Sequence, residues 1–412
     1  MTRAALAPFA VRSFRFQWPA DLATSWAFEM EVLILGWYVL VTTGSVQHLV
    51  AFGALAWMGT LFSPFFLGPV GDRLGIRALL CITRGTYAVL AGILTALALG
   101  GALAPWHVFT VAAIAGLLKP SDMGMRYVLV GQTIRPEMLM GALGVSRTTS
   151  DTARIAGALA GTGGVALLGM GVAYAAVTML YVAAFVLSLN VAGHPAGGRA
   201  HTAAETVADL SRAVGYVWHK PELLGAFSIA FLVNLLAFPF FMGLLPYAAR
   251  DVYDIGMAGL GWLAAAFASG ALAGSLLVGA NRLRFREGRI MLWTAAVWFG
   301  ALLLFGQTRS LALGLGLIFL AGFAQSLCLT PLAAVMLRAS SDEMRGRVMG
   351  LRMLAIWGLP LGLLAAAPLI ERLGFSASTL IYALLGLAAV LAIGLRWRHA
   401  LWRASAPANA AI

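Results

Sequence analysis

Gly68-Pro69-Val70-Gly71-Asp72-Arg73-Leu74-Gly75-Ile76-Arg77 is a short charged turn punctuated by glycine, and long apolar runs flank it at 46–69 and 78–100. Each run reaches the about 20 residues that a helix needs to cross a hydrocarbon core. The turn is therefore read as a loop that joins two membrane-crossing helices at the bilayer surface. Any tight helix–helix loop collects Gly, Asp and Arg, so its place in the series of spans carries the argument.

The chain has 412 residues, 61% hydrophobic and only 11% charged, with a mean hydropathy of +0.89. A soluble domain carries about a quarter charged residues. A chain this poor in charge cannot cover a water-facing surface, so lipid is its solvent. The net charge of +12 would suggest nucleic acid in a soluble protein. Here the arginines gather between apolar runs, which points to membrane topology and to no nucleic-acid partner. Cys81 and Cys328 lie in separate apolar segments, and the six histidines fall at span edges or in loops. No disulfide framework, metal cluster or cofactor is expected. The basic stretch 1–17 runs into a span too long for a signal-peptide core and is read as retained.

Twelve spans follow: 18–42, 46–69, 78–100, 106–131, 141–168, 171–191, 222–247, 257–280, 289–307, 310–337, 347–369 and 376–396. Prolines inside them argue less against helix than in water, because neighbouring helices satisfy the freed backbone groups. Alternate breaks hold most of the arginines, while the other side keeps Arg250, Arg309 and Arg372. The positive-inside rule then places both termini in the cytoplasm. The longest polar break divides the chain into a six-helix lobe 1–191, a cytoplasmic linker 192–221 and a second six-helix lobe 222–412. In the linker, Val207, Leu210, Val214, Val217 and Trp218 recur at helical spacing, so it carries an amphipathic helix. The lobes read as a repeat: Pro136-Glu137-Met138 returns as Asp342-Glu343-Met344, an offset of 206 that also brings Gly144 onto Gly350. Paired six-helix repeats with a binding site at their interface are a transporter architecture.

The pattern G-x-x-x-D-R-x-G-x-R over Gly68–Arg77 resembles the loop between the second and third helices of major facilitator superfamily transporters, with Ile76 where a second basic residue is preferred. Arg345-Gly346-Arg347-Val348-Met349 resembles the R-G-R-V segment of the enterobactin-exporter and macrolide-efflux branch. Asp122-x-x-x-Arg126 is similar to that branch's D-x-P-x-R element, with Gly124 in place of proline. Ala153–Gly161 resembles the glycine-rich antiporter segment, with Ala158 in place of its proline. The resemblance covers nearly the whole chain. It implies the all-α major facilitator fold, alternating access, and export driven by proton exchange. It also implies a gating loop of Gly68, Asp72, Arg73, Gly75 and Arg77, in which Asp72 meets the partly positive start of the eleventh span.

An ionised side chain at the bilayer centre costs about 2.5–3.5 kcal/mol on insertion scales, so each needs a reason. Glu29 and Glu31 lie near the middle of the first span. Two residues apart on a helix, they point about 200° apart and cannot serve one face. Glu29 shares a stripe with Asp21 and Ser25, and Glu31 one with Thr24 and Tyr38. One carboxylate is expected to carry the coupling proton, since burial can bring it into the range of titration near neutral pH. The other reading pairs both with buried arginines. Lys119, Asp122, Met123 and Arg126 form one stripe on the fourth span. Asp122 and Arg126 are one turn apart and can pair. Lys119 is left needing a first-span glutamate or a substrate anion. With Asp151 and Arg154 of the fifth span these make a charge network, with Asp122 a further proton-coupling candidate. The 206 offset maps Lys119, Asp122 and Arg126 onto Gln325, Cys328 and Leu332. The second lobe is therefore expected to supply uncharged substrate surface from Asn234, Phe238 and Gln325, beside Tyr38 and Met123 of the first.

These readings lead to a monomeric secondary transporter in a bacterial inner membrane. It would export a small amphiphilic molecule (drug, siderophore or other secondary metabolite) by proton antiport. An uncoupled facilitator or a lipid or metabolite transporter of the same fold is the alternative. No Walker A pattern and no nucleophile–base set is present, so neither ATP drive nor an enzyme is expected.

Overall fold

A computed structural model describes residues 7–60, 73–192, 203–279 and 287–403. No strand occurs among them. The first half holds α1 (Arg12–Thr43), α2 (Val46–Trp57), α3 (Ile76–Leu99), α4 (Pro105–Thr133), α5 (Pro136–Leu168) and α6 (Met170–Ser188). After them come α7 (Ala203–Trp218), α8 (Pro221–Leu236), α9 (Met257–Gly279), α10 (Glu287–Gln307), α11 (Leu311–Ala339), α12 (Asp342–Ala355), α13 (Gly358–Arg396) and α14 (Arg398–Arg403). Among the described residues, seven helical stretches are long and apolar enough to cross a membrane by length and composition. Large apolar side chains stand exposed on many of the helices, among them Val89, Trp106, Met179, Trp293, Leu313 and Leu395. Soluble monomers rarely expose such continuous apolar surface, and the chain is a multi-pass membrane protein.

Local chemistry explains the boundaries. Pro105, Pro136 and Pro221 open their helices at the first helical position, where a missing N–H costs nothing. The expected span 222–247 is regular only to Leu236. It continues as π-helical turns at Pro239–Gly243 and Ala248–Val252, where Leu244 N–H donates to Pro239 O at 2.9 Å and Tyr253 N–H to Ala248 O at 3.0 Å. Pro239 and Pro246 lack the N–H groups that a regular ladder needs. The expected span 347–369 begins earlier, at Asp342, and breaks at Ile356 and Trp357.

The internal repeat is visible in the backbone. Both α4 and α11 have 29 residues and start 206 apart. Ile134 and Ser340, which follow them, have φ/ψ of −103/136° and −97/138°. Gly169, between α5 and α6, has φ 80° and ψ 167°; Gly374, which breaks α13, has φ 83° and ψ 168°. Only glycine takes that conformation without strain, so one tight corner has been used twice.

Contacts divide the chain into two compact units, Met1–Thr206 with Leu245–Ala265, and Val207–Leu244 with Ala266–Ile412. In the first, α1 packs against α5, α6, α2 and α4, and α3 packs against α6. Gly157 and Gly161 bring α5 onto α1, where an added Cβ would stand 2.9 Å from Glu29 Cβ and 2.9 Å from Met30 Cα. In the second, α10 packs against α11 and α13, and α8 against α13.

The linker helix α7 is tied down within the second unit. Lys220 Nζ donates to Tyr216 Oη at 2.6 Å and to Ala339 O at 2.9 Å, and Ser341 N–H donates to Tyr216 Oη at 3.0 Å. Arg347 pairs with Asp209 at 3.1 Å. The Lys220 hydrogen bond first, then those of Ser341, pull the Tyr216 phenol from 10.0 down to about 8. The folded form therefore releases its proton before the unfolded one. That stabilisation is present above the ordinary phenol value and is lost as pH falls through about 8. In thermal unfolding, the margin of the wild type over Tyr216→Phe should widen between pH about 8 and about 10. A constant margin would show that the phenolate does not hold the linker.

Candidate functional site

Four helices of the first unit converge on a buried cluster of charge. Asp21 of α1, Arg84 of α3, and Asp122 and Arg126 of α4 contribute two carboxylates and two guanidiniums, so the group is neutral as a whole. Arg84 is fully buried; it pairs closely with Asp21, donates from Nε to Asp122 Oδ1 at 3.4 Å, and from Nη1 to Ser188 Oγ of α6 at 2.6 Å. Arg126 meets Asp122 Oδ2 from Nε at 2.7 Å and from Nη2 at 2.5 Å, and donates from Nη1 to Ser25 Oγ at 2.9 Å. The expected Asp122–Arg126 pair is present, but it is half of a larger device. Opposite charges at this range offset the cost of leaving water only when remaining donors and acceptors are also satisfied. Ser25 and Ser188 each take one guanidinium N–H, and Gln17 Nε2 donates to the Arg126 main-chain O at 3.1 Å, while Arg126 Nη2 has only its ion pair with Asp122. A cavity of about 40 Å³ adjoins Arg126 and Asp21, lined in part by Ser25, Met123, Ser146, Thr149 and Ser150.

Glu31 lies ten residues beyond Asp21, about 15 Å along α1. Its Oε1 accepts from Tyr174 Oη at 2.6 Å and its Oε2 from Tyr181 Oη at 2.7 Å, both on α6. Between Glu31 and the charge cluster stand the rings of Phe28, Tyr87 and Tyr181, with centroids 5.2–5.8 Å apart. The aromatic partition explains how a carboxylate and a charge cluster share a helix without merging. Glu29 points elsewhere, as the 200° argument requires. Its Oε1 is 3.5 Å from Arg154 Nε of α5, and both side chains are about one-third exposed.

Lys119 was expected to need a first-span glutamate or a substrate anion. Its ammonium lies over the rings of Phe28 and Trp57, 4.7 and 4.9 Å from their centroids. Among the described residues it forms no ion pair within 4 Å. Cation–π attraction holds this half-buried ammonium within the field of Glu29 and Glu31. Ion pairs within 4 Å join the four-charge cluster with Arg126 and, apart from it, Glu29 with Arg154, while Lys119 rests on its rings and feels Glu29, Glu31, Arg154 and Arg126 through space. Asp151 is buried one turn before Arg154.

The remaining predicted positions are scattered. Tyr38 Oη donates to Leu103 O at 2.9 Å, which turns it toward the α3–α4 connection. Met123 is 40% exposed. Asn234 is buried and donates to Ala230 O at 2.8 Å, Phe238 meets the Trp298 ring edge-on at 4.9 Å, and the Oε1 of buried Gln325 has no partner among the described residues. Of the gating loop, Gly68 and Asp72 lie outside the described residues. Arg73 is exposed, Gly75 is buried with φ 82°, and Arg77 donates to Leu189 O at 2.6 Å, at the end of α6.

Arg84, Tyr174 and Tyr181 escaped sequence reasoning. Arg84 is the one charged residue in 78–100, and Tyr174 and Tyr181 are seven apart on one face of α6. Each was a readable signal, a lone charge in an apolar run and a repeated hydroxyl on one stripe.

The fold and these buried charges define a polytopic helical membrane protein with ionisable groups inside its spans. No family model matches the sequence, and no curated protein sequence matches it. Solved structures do. The nucleoside transporter NupG aligns over 95% of this chain and 100% of its own, at TM-score 0.71 and 15% identity. The POT family transporter PepTSo aligns over 96% and 99%, at 0.75 and 11%. The human organic anion transporter MFSD10 aligns over 93% and 99%, at 0.66 and 15%. At such identities the likeness is one of fold, and the fold is the one that the Gly68–Arg77 resemblance implied.

Proposed function

We propose that this chain is a secondary active transporter that exports a small amphiphilic molecule by proton antiport, through alternating access. The observation that carries the reading is Glu31, a carboxylate inside a membrane-crossing helix whose two oxygens are held by Tyr174 and Tyr181 hydroxyls and, among the described residues, by no cation within 4 Å. Buried ionisable groups in spans mark ion and substrate pathways. Protonating Glu31 removes an acceptor from one tyrosine and changes the field at Lys119, which forms no ion pair within 4 Å among the described residues. That is a local change able to bias a two-state protein. Asp122 serves this role less well, because both its oxygens are already engaged by Arg84 and Arg126. NupG and MFSD10, named for nucleoside and organic-anion transport, and the POT family transporter PepTSo support a small-molecule substrate by analogy of fold.

We place the chain in a bacterial inner membrane as a monomer of twelve crossings, with lobes 1–191 and 222–412 joined by 192–221 and both termini cytoplasmic. The arginine distribution supports that orientation. Uncoupled facilitation by the same fold is favoured by the charge balance of the Asp21–Arg84–Asp122–Arg126 cluster, which needs no proton. Proteoliposomes distinguish the two. Under an imposed pH gradient, a panel of amphiphilic cations, zwitterions and anions should contain at least one compound that accumulates and moves protons in the opposite sense. An ionophore that collapses the gradient should abolish the accumulation. Equilibration at the same rate with and without the gradient would establish the facilitator instead.

A further inference from the structure

The second unit carries a groove of about 510 Å³ between α10 and the end of α13, far in sequence from the residues used above. Leu292, Trp293, Ala296, Leu387, Leu391 and Leu395 supply its apolar walls. From Leu387 to Leu395 it extends about 12 Å along the helix. At one end the lining changes to Arg398 and Trp402 of α14. Arg289 of α10 lies over the Trp402 ring, 5.2 Å from its centroid, and Arg396 and Arg398 are exposed beside it. Arg398 Nε donates to His399 at 3.2 Å, and Glu287, the acid closest in sequence to Arg289, is paired with Arg338 at 2.9 Å.

The rim is fixed in place. Leu401 is fully buried, and a Cβ at Gly288 would fall 2.2 Å from Leu401 O, one at Gly225 3.0 Å from Leu401 Cδ1. Two glycines therefore hold α14 hard against α10 and α8, and Trp402 and Arg398 are presented at the mouth of the groove. Trp293 and Leu395 leave its side open, at 65% and 63% exposed. An apolar trough inside a membrane protein, capped by tryptophan and at least two arginines at the helix ends, has the shape and charge order of one molecule. Its tail is hydrocarbon and its head is an anion at the interface.

We propose that this groove binds an anionic glycerophospholipid, with an acyl chain along Leu387–Leu395 and the phosphate against Arg398 and Arg289. Neither neutral lipid nor a free anion satisfies both ends. The lipid braces α14 on α10 and so stabilises the second unit independently of transport.

The full chain, purified in mild detergent, is incubated with phosphatidylglycerol or phosphatidylcholine, and retained lipid is counted by native mass spectrometry. Phosphatidylglycerol should be retained preferentially, and the Arg289→Gln, Arg398→Gln double variant should lose about fivefold of that preference per arginine. Gly394→Leu grows a side chain from a Cβ position 3.6 Å from Leu292 Cδ1. It fills the trough and should lower retention of both lipids. Equal retention of the two lipids by the wild type overturns the proposal, as does undiminished phosphatidylglycerol retention by Gly394→Leu. Should the arginine pair prove necessary for folding, Gly394→Leu alone decides.

Discussion

Arg84→Leu should be the most damaging single substitution in the first unit, lowering stability by about 3–5 kcal/mol, the usual cost of leaving a buried charge without its partner. Arg84 is fully buried and reaches three helices from a fourth: Asp21 on α1, Asp122 on α4 and Ser188 on α6. Removing it leaves two carboxylates for the single guanidinium of Arg126. Arg84→Lys should rescue little, because a compact ammonium cannot serve three directions as a planar fork does. The double variant Asp21→Asn, Arg84→Gln removes one charge of each sign, and its cost should be smaller than the sum of the singles. Thermal unfolding and size-exclusion behaviour in detergent report all three. An Arg84→Leu protein within about 1 kcal/mol of wild type, the range of an exposed pair, would show that the cluster does not hold the helices together.

The helices were legible because a bilayer imposes length and apolarity together, and no other pattern satisfies both. The repeat was legible from Pro136-Glu137-Met138 and Asp342-Glu343-Met344, and the matched corners at Gly169 and Gly374 give it a backbone basis. Pairing of Asp122 with Arg126 followed from helical spacing. What spacing within one helix could not reveal was a partner on another. Arg84 looked like any single arginine near a span's end until its guanidinium was seen between Asp21 of α1 and Asp122 of α4. The two tyrosines on α6 had no reason to be read with Glu31, 143 and 150 residues away. The surroundings of Lys119 were half legible. Counting charges finds Glu29 and Glu31, whose fields reach it, but not Phe28 and Trp57, which supply a ring quadrupole that a charge count does not see.

Glu31→Gln should reduce gradient-driven accumulation to the uncoupled baseline while leaving the protein folded. The amide is nearly isosteric with a protonated carboxyl, and its oxygen still accepts from Tyr174 or Tyr181, so the α1–α6 contact survives. What it cannot do is change charge. Downhill exchange of substrate across the membrane should therefore persist in the same variant, and substrate-dependent proton movement should vanish. Glu29→Gln is the control. It breaks a pair with Arg154 that is about one-third exposed, worth at most about 1 kcal/mol, and should leave coupling intact. The two tyrosines add a graded test: Tyr174→Phe with Tyr181→Phe keeps the carboxylate but strips both donors. The pH dependence of transport should shift in that variant and not in Glu29→Gln. Coupling lost in Glu29→Gln but kept in Glu31→Gln would transfer the role to Glu29. Coupling kept in both singles and in the double would remove the α1 carboxylates from the mechanism altogether.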